Sequence, residues 1–240
     1  MSPTRIVVQL RPGGHRTTLT TGLLRPQEVH SRPGWCRVAL VATTALLLGG
    51  DLVELDVEVG PRAKLDLFEV AGTVALDGHG LAAGWDVRVR LHPGARLRMS
   101  GQPFVVATGA RVTRSLQLDA AEGAQALMRD TIVLGRYGER GGWLRNTTTL
   151  RVAGDLVLLE DSELDPAWRE LPGLLGIHRI VDTLTAVGQQ LPDDVWHSGV
   201  AHFRLPNDAG DMRRHLGRDL AASPMHDAWQ RLERDAARTG

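Results

Sequence analysis

The sequence predicts a mainly β fold, a layered or helical scaffold of stacked short strands with a small helical element at its C-terminal end. Three observations lead there: apolar and charged residues alternate singly along the first two thirds of the chain, a strand-turn-strand pattern recurs, and helical periodicity appears only near the end. In the first clear strand Val53, Leu55, Val57 and Val59 interleave with Glu54, Asp56 and Glu58, so one face is apolar and the other acidic. Gly60-Pro61 turns it. From Trp85 to Leu91, Val87, Val89 and Leu91 alternate with Asp86, Arg88 and Arg90, and Pro93-Gly94 makes the next turn.

Aligned on their turns, VEVGPRAKLDL at 57–67 and VRLHPGARLRM at 89–99 form a weak repeat with an offset of 32 residues. A looser copy, LQLDAAEGAQALM at 116–128, keeps the alternation and the Gly123 turn. Ala63, Ala95 and Ala124 then occupy equivalent places. Repeated β units that cannot close a core alone stack on one another. Two ordinary hairpins sharing a favourable turn are the plainer alternative.

Past Glu160 the character changes. Glu160, Asp161, Glu163 and Asp165 read as an acidic connector, punctuated by Pro166, Pro172 and Gly173. Ile180–Val187 is β-branched and reads as a strand, with another over 200–205. Asp208 to Leu216 reads as a short helix, and Pro224 opens a second in which Met225, Ala228, Trp229 and Leu232 recur at helical steps. The expectation is a single domain over 1–240: a β-repeat part (1–160), the connector with further strands (161–207) and C-terminal helices (208–240).

Composition narrows the function. Lys+Arg and Asp+Glu both total 28, so there is no basic excess for nucleic acid, and the absent net repulsion suits a subunit of a larger complex. One cysteine, Cys36, excludes an internal disulfide or a multi-cysteine metal site. The apolar run 38–48 is too short to span a bilayer and Met1 to Leu10 lacks a signal layout, so a cytoplasmic location without a membrane role is expected. No phosphate-binding loop, zinc-protease helix or nucleophile elbow occurs. His197 and His202, five residues apart, fall on opposite faces of a strand, and no tightly bound metal is expected.

Two further features carry possible chemistry. Glu160, Asp161 and Glu163 could supply a glycosidase acid/base pair on a stacked β fold, or simply form a solvated loop. In LGRYGERGG at 134–142, Gly135, Gly138, Gly141 and Gly142 free the backbone. Glu139 lies between Arg136 and Arg140, where charge-assisted hydrogen bonds can hold it.

Read in order, LLLGGDLVELDVEVGPRAKL at 46–65, HPGARL at 92–97, Gln102-Pro103, Gly109-Ala110, and Leu134-Gly135-Arg136 with Gly138-Glu139 resemble the UreD (UreH) family of urease accessory proteins. The likeness runs from about Leu46 to the end, including the C-terminal helix with Trp229. It implies a layered β scaffold that joins UreF and the GTPase UreG on apo-urease. It also implies an internal passage for nickel, with no cofactor beyond that transient metal and no catalytic residues. The matched positions imply that Asp51, after Gly49-Gly50, and Arg136 with Glu139 belong to the nickel route or to its supporting turns. Gly60, Pro61, Pro93, Gly94, Gln102, Pro103, Gly135 and Gly138 would be structural. Separately from the resemblance, the apolar stripe of Met225, Trp229 and Leu232 reads as a partner contact, with packing on the β core as the alternative. In one place the chain departs from the pattern: LFEVAGTVALDG at 67–78 stands where family members carry a Thr-Thr-Gln strand. A carbohydrate-active enzyme and a binding module without a metal role are the competing readings.

Overall fold

The structure, a computed structural model, describes residues 2–171, 173–192 and 199–238, with side chains to residue 234. The chain begins with two hairpins, β1 (Thr4–Arg11) with β2 (Gly14–Thr20) and β3 (Leu24–Arg32) with β4 (Trp35–Ala42). It then winds repeatedly between two facing sheets. β5 (Leu52–Val59) leads to β6 (Lys64–Glu69) and the short β7 (Thr73–Ala75). β8 (Ala83–Leu91) leads to β9 (Arg96–Ser100) and β10 (Phe104–Val106). β11 (Arg111–Ala120) leads to β12 (Gln125–Leu134).

The remaining strands are β13 (Trp143–Val152), β14 (Asp155–Leu164), β15 (Ile180–Val187), β16 (Val200–Arg204) and β17 (Gly210–Gly217), followed by helix α1 (Met225–Arg238). One sheet runs β14-β13-β11-β8-β5-β1-β2. The other runs β16-β17-β15-β12-β9-β6-β4-β3, with β7 and β10 beside the distal half of β12. The central strands are parallel and only the outer ones are antiparallel, as a chain that returns to the same sheet once per coil requires.

The sequence repeat is the stacking register. Val57 lies beside Val89 and Lys64 beside Arg96, the 32-residue offset read from the sequence. Ala63, Ala95 and Ala124 are buried at the inner side of successive turns. The Arg96 amide donates to the Ala63 carbonyl, and Gln125 to that of Ala95, both at 2.9 Å. In each coil the inward residues fill the space between sheets, as Val53, Leu55, Val57 and Val59 do opposite Leu65 and Leu67. Each such side chain contributes about 1.5–3 kcal/mol. Outward charges pair across strands, with Arg88 3.6 Å from Glu54 and 3.4 Å from Asp56.

Two expectations fail. Residues 210–217 form β17, an interior strand between β15 and β16, rather than a helix. Pairing on both sides outweighs the helix propensity of its Met and Arg residues. Glu160, Asp161 and Glu163 belong to β14, whose alternation places Glu160 and Ser162 toward the interior and Asp161 and Glu163 outside. They are not in a connector.

The final helix is capped by Ser223, whose Oγ accepts from the Met225 amide at 3.3 Å. Its apolar stripe covers a second, smaller core on the outside of β12 and β15: Met225, Ala228 and Trp229 pack with Leu127, Leu184 and Ala186. Among the described residues no helix is long and apolar enough to cross a membrane.

A candidate metal passage between the sheets

Two strands of the second sheet are interrupted, between β6 and β7 and again between β9 and β10. Gln102-Pro103 forms the second break. The Thr73 amide donates to the Pro103 carbonyl at 3.2 Å, and the Gln102 amide donates to Oε2 of Glu69 at 2.9 Å. Beside these breaks the two sheets enclose a cavity of about 230 Å³. Glu69, Ser100 and Asp130 face it from one sheet and Arg114, Thr148 and Glu160 from the other, among apolar neighbours.

Most of the charges at the cavity are paired. Arg114 donates to both oxygens of Asp130, at 2.8 and 3.2 Å, with its guanidinium 4.4 Å from the centre of the Phe104 ring. Arg214 grips Glu160 at 2.6 and 2.8 Å, and its Nε donates to Thr183 at 3.1 Å. Arg129 donates to both oxygens of Asp182, which is wholly buried and also accepts from Thr131 and Ser223. Glu69 differs. Among the described residues no cation lies within ion-pair distance of it, and its single hydrogen bond comes from the Gln102 amide. Glu69 keeps part of its surface exposed, yet desolvation beside the cavity pushes its carboxyl up to about 7; the Gln102 bond and the charge of Arg114 offset only part of this, and Asp130 adds to it. The cavity therefore offers one carboxyl that exchanges its proton near neutrality, with hydroxyl oxygens nearby. Such hard, sparse donors bind a divalent metal weakly.

The sequence matches the family model described as UreD urease accessory protein over residues 8–232. The chain belongs to the UreD urease accessory protein family. It is 45% identical over 194 residues to "Urease accessory protein UreD 1" of Streptomyces griseus subsp. griseus, covering 79% of this chain and 76% of that one. It is 36% identical to the urease accessory protein UreD of Streptomyces coelicolor, over 63% of this chain and 61% of the relative. To that of Frankia casuarinae it is 35% identical, over 70% and 56%. The matched stretch thus spans three quarters of the first relative and less than two thirds of the other two.

Of the positions that carried the UreD resemblance, Asp51, Arg136 and Glu139 do not line the cavity. Asp51 closes its own turn: its Oδ2 accepts from the Leu48 amide at 2.8 Å. Gly49 packs so tightly on Gly78 that a Cβ would lie 2.5 Å from the Gly78 Cα. Glu139 ties its loop to the next turn, accepting from the amides of Thr108 (3.1 Å) and Arg136 (3.0 Å) and from Arg136 Nε (2.7 Å). The Arg136 side chain, then its amide and that of Thr108, hold the Glu139 carboxyl down at about 2. Arg140 turns away to the Pro166 carbonyl. Gly135 and Gly138 both have positive φ, which suits them to this loop, and Gly94 does the same for its turn. Gly60 abuts the Val8 carbonyl.

Two assignments change. Met225 and Trp229 are buried against the chain's own sheet and Leu232 is half-buried beside them, so this stripe is packing rather than an exposed partner surface. The carboxylates considered as a glycosidase pair are otherwise engaged: Glu160 with Arg214, Asp161 with Arg145, and Glu163 with the Trp143 indole at 2.8 Å. His197 lies outside the described residues, and His202 sits 2.9 Å from Asp211. Sequence reasoning missed Glu69, which lies in the segment departing from the family pattern. A charged residue ending a strand, followed by Val-Ala-Gly, was its one visible signal.

Proposed function

We propose that this chain is a non-catalytic assembly factor that joins UreF and UreG on apo-urease and passes nickel through its internal cavity toward the urease site. The observation that carries the reading is Glu69, an un-ion-paired carboxyl facing a cavity between the sheets. A conduit must release what it accepts, so oxygen donors without a closed coordination shell suit transit better than a set of thiolates and imidazoles would. Loss of a proton from Glu69 supplies the negative charge that draws a cation in, and regaining it favours release. The ion pairs of Arg114 with Asp130 and Arg214 with Glu160 brace the walls without holding a metal. Their engagement also leaves no free acid/base pair of the glycosidase type among the β14 carboxylates.

The test is complementation of cells lacking this chain, at growth-limiting nickel. The wild-type chain restores urease activity. Glu69→Ala restores it only when nickel is supplied in excess. Equal restoration by both at limiting nickel would remove Glu69 from the route.

A further inference from the structure

Well away from Glu69, three side chains with metal-ligating atoms converge where the two initial hairpins face each other. His15 lies near the start of β2 at the edge of one sheet; Glu28 lies on β3, at the edge of the other, and Cys36 on β4 beside it. None of them lines the cavity. The alternation that turns Leu19 and Val38 inward turns these three inward as well, in positions where the neighbouring coils carry aliphatic residues. Glu28 is the last inward residue of β3, because the register shifts between Glu28 and His30 and the strand beyond is exposed.

One ligand atom from each of the three lies within 4.8 Å of the other two, and His15 Nε2 is 3.5 Å from Glu28 Oε1. Around a tetrahedral ion with bonds of about 2.0–2.3 Å, ligand atoms lie roughly 3.4 Å apart. Small side-chain rotations therefore suffice to close the set. The thiol is fully buried and forms the floor, while the Glu28 side chain is 30% exposed and leaves a side open for a water ligand. One nitrogen, one oxygen and one sulfur donor select first-row transition metals and disfavour magnesium or calcium.

We propose that His15, Glu28 and Cys36 form a binding site for one divalent first-row transition-metal ion, zinc(II) or nickel(II) in class, that links the edge hairpins of the two sheets. The site is independent of the proposed passage: it is closed on one side by Cys36 and its donors are softer.

The experiment uses the full chain, stripped with a chelator and titrated with cobalt(II). One equivalent binds with visible d–d bands and a near-ultraviolet thiolate charge-transfer band, and zinc(II) or nickel(II) competes for it. Cys36→Ala abolishes the charge-transfer band. Glu28→Gln, a change at a partly exposed rim, keeps that band but weakens cobalt binding at least about tenfold. Circular dichroism checks that both variants fold. Glu69→Ala leaves the band and the affinity unchanged, which separates this site from the passage. Absence of a charge-transfer band in the wild type overturns the proposal. So does cobalt affinity that Glu28→Gln leaves untouched.

Discussion

Replacing Glu69 by glutamine should stabilise the protein while impairing its function. The wild-type carboxyl titrates near 4.5 in the unfolded chain and at about 7 in the fold, because burial opposes its ionisation. A carboxyl raised on folding binds more protons in the native state, so its cost is absent below pH 4.5, grows as pH rises, and is complete above 7. An interval of that width corresponds to roughly 3 kcal/mol, with only about 1 kcal/mol of it present at pH 5. Glutamine keeps an oxygen to accept the Gln102 amide and carries no charge. Urea unfolding of wild type and Glu69→Gln at pH 5 and pH 8 is the assay. The variant's advantage should grow by roughly 2 kcal/mol between the two conditions. The other shifted carboxyls, Glu28, Glu58, Glu139 and Asp161, lie below their ordinary values and titrate identically in both proteins. A difference in stability that does not change with pH would show that Glu69 is as well solvated as any surface carboxyl.

Asp182→Ala strands the Arg129 guanidinium in a buried setting and removes the acceptor that holds Ser223, so urea unfolding should register a loss of about 3–5 kcal/mol. A loss under about 1 kcal/mol would mean that this network is not desolvated. Trp229→Ala, by opening the small core under α1, should cost about 3–5 kcal/mol, and the folded fraction should still co-purify with UreF and UreG. Unchanged stability with lost co-purification would restore Trp229 to a partner surface. Asp51→Asn can still accept the Leu48 amide, whereas Asp51→Ala cannot and should cost about 1 kcal/mol more in thermal unfolding; equal melting of the two would contradict the turn-closing role.

How much of this was legible depended on whether local pattern or long-range pairing decided a residue's place. The repeat at 57–67 and 89–99 was readable because stacked parallel coils impose one register on both copies, and the three alanines are buried at the equivalent turn position of successive coils. The strand over 180–187 and the helix after Pro224 followed from β-branching and from periodicity. Asp208 to Leu216 misled because its polar, helix-forming residues are held in a strand by partners on both sides. One of them, Arg213, is buried and donates to the Leu191 and Pro192 carbonyls, which no local pattern announces. The run 160–165 misled in a related way: charge suggested solvent, but alternate residues of β14 point into the interior, where Arg214 meets Glu160. At the site, turn residues such as Asp51 and Glu139 stood out through resemblance, while the cavity itself did not. Glu69, Arg114 and Thr148 come from three separate coils, and the trio of His15, Glu28 and Cys36 from three strands in two hairpins.

Whether nickel passes between the sheets can be decided by narrowing the space. Thr148 projects into the cavity from β13, next to Leu116 and opposite Glu160. Thr148→Trp fills part of the 230 Å³ at a cost of about 1–3 kcal/mol of stability and leaves the outer surface unchanged. In cells lacking the native chain and grown at limiting nickel, the variant should still co-purify with apo-urease, UreF and UreG, and the urease recovered should contain little nickel and show little activity. Urease that is fully nickel-loaded and active beside a chain carrying tryptophan at that position would show that the metal travels by another path.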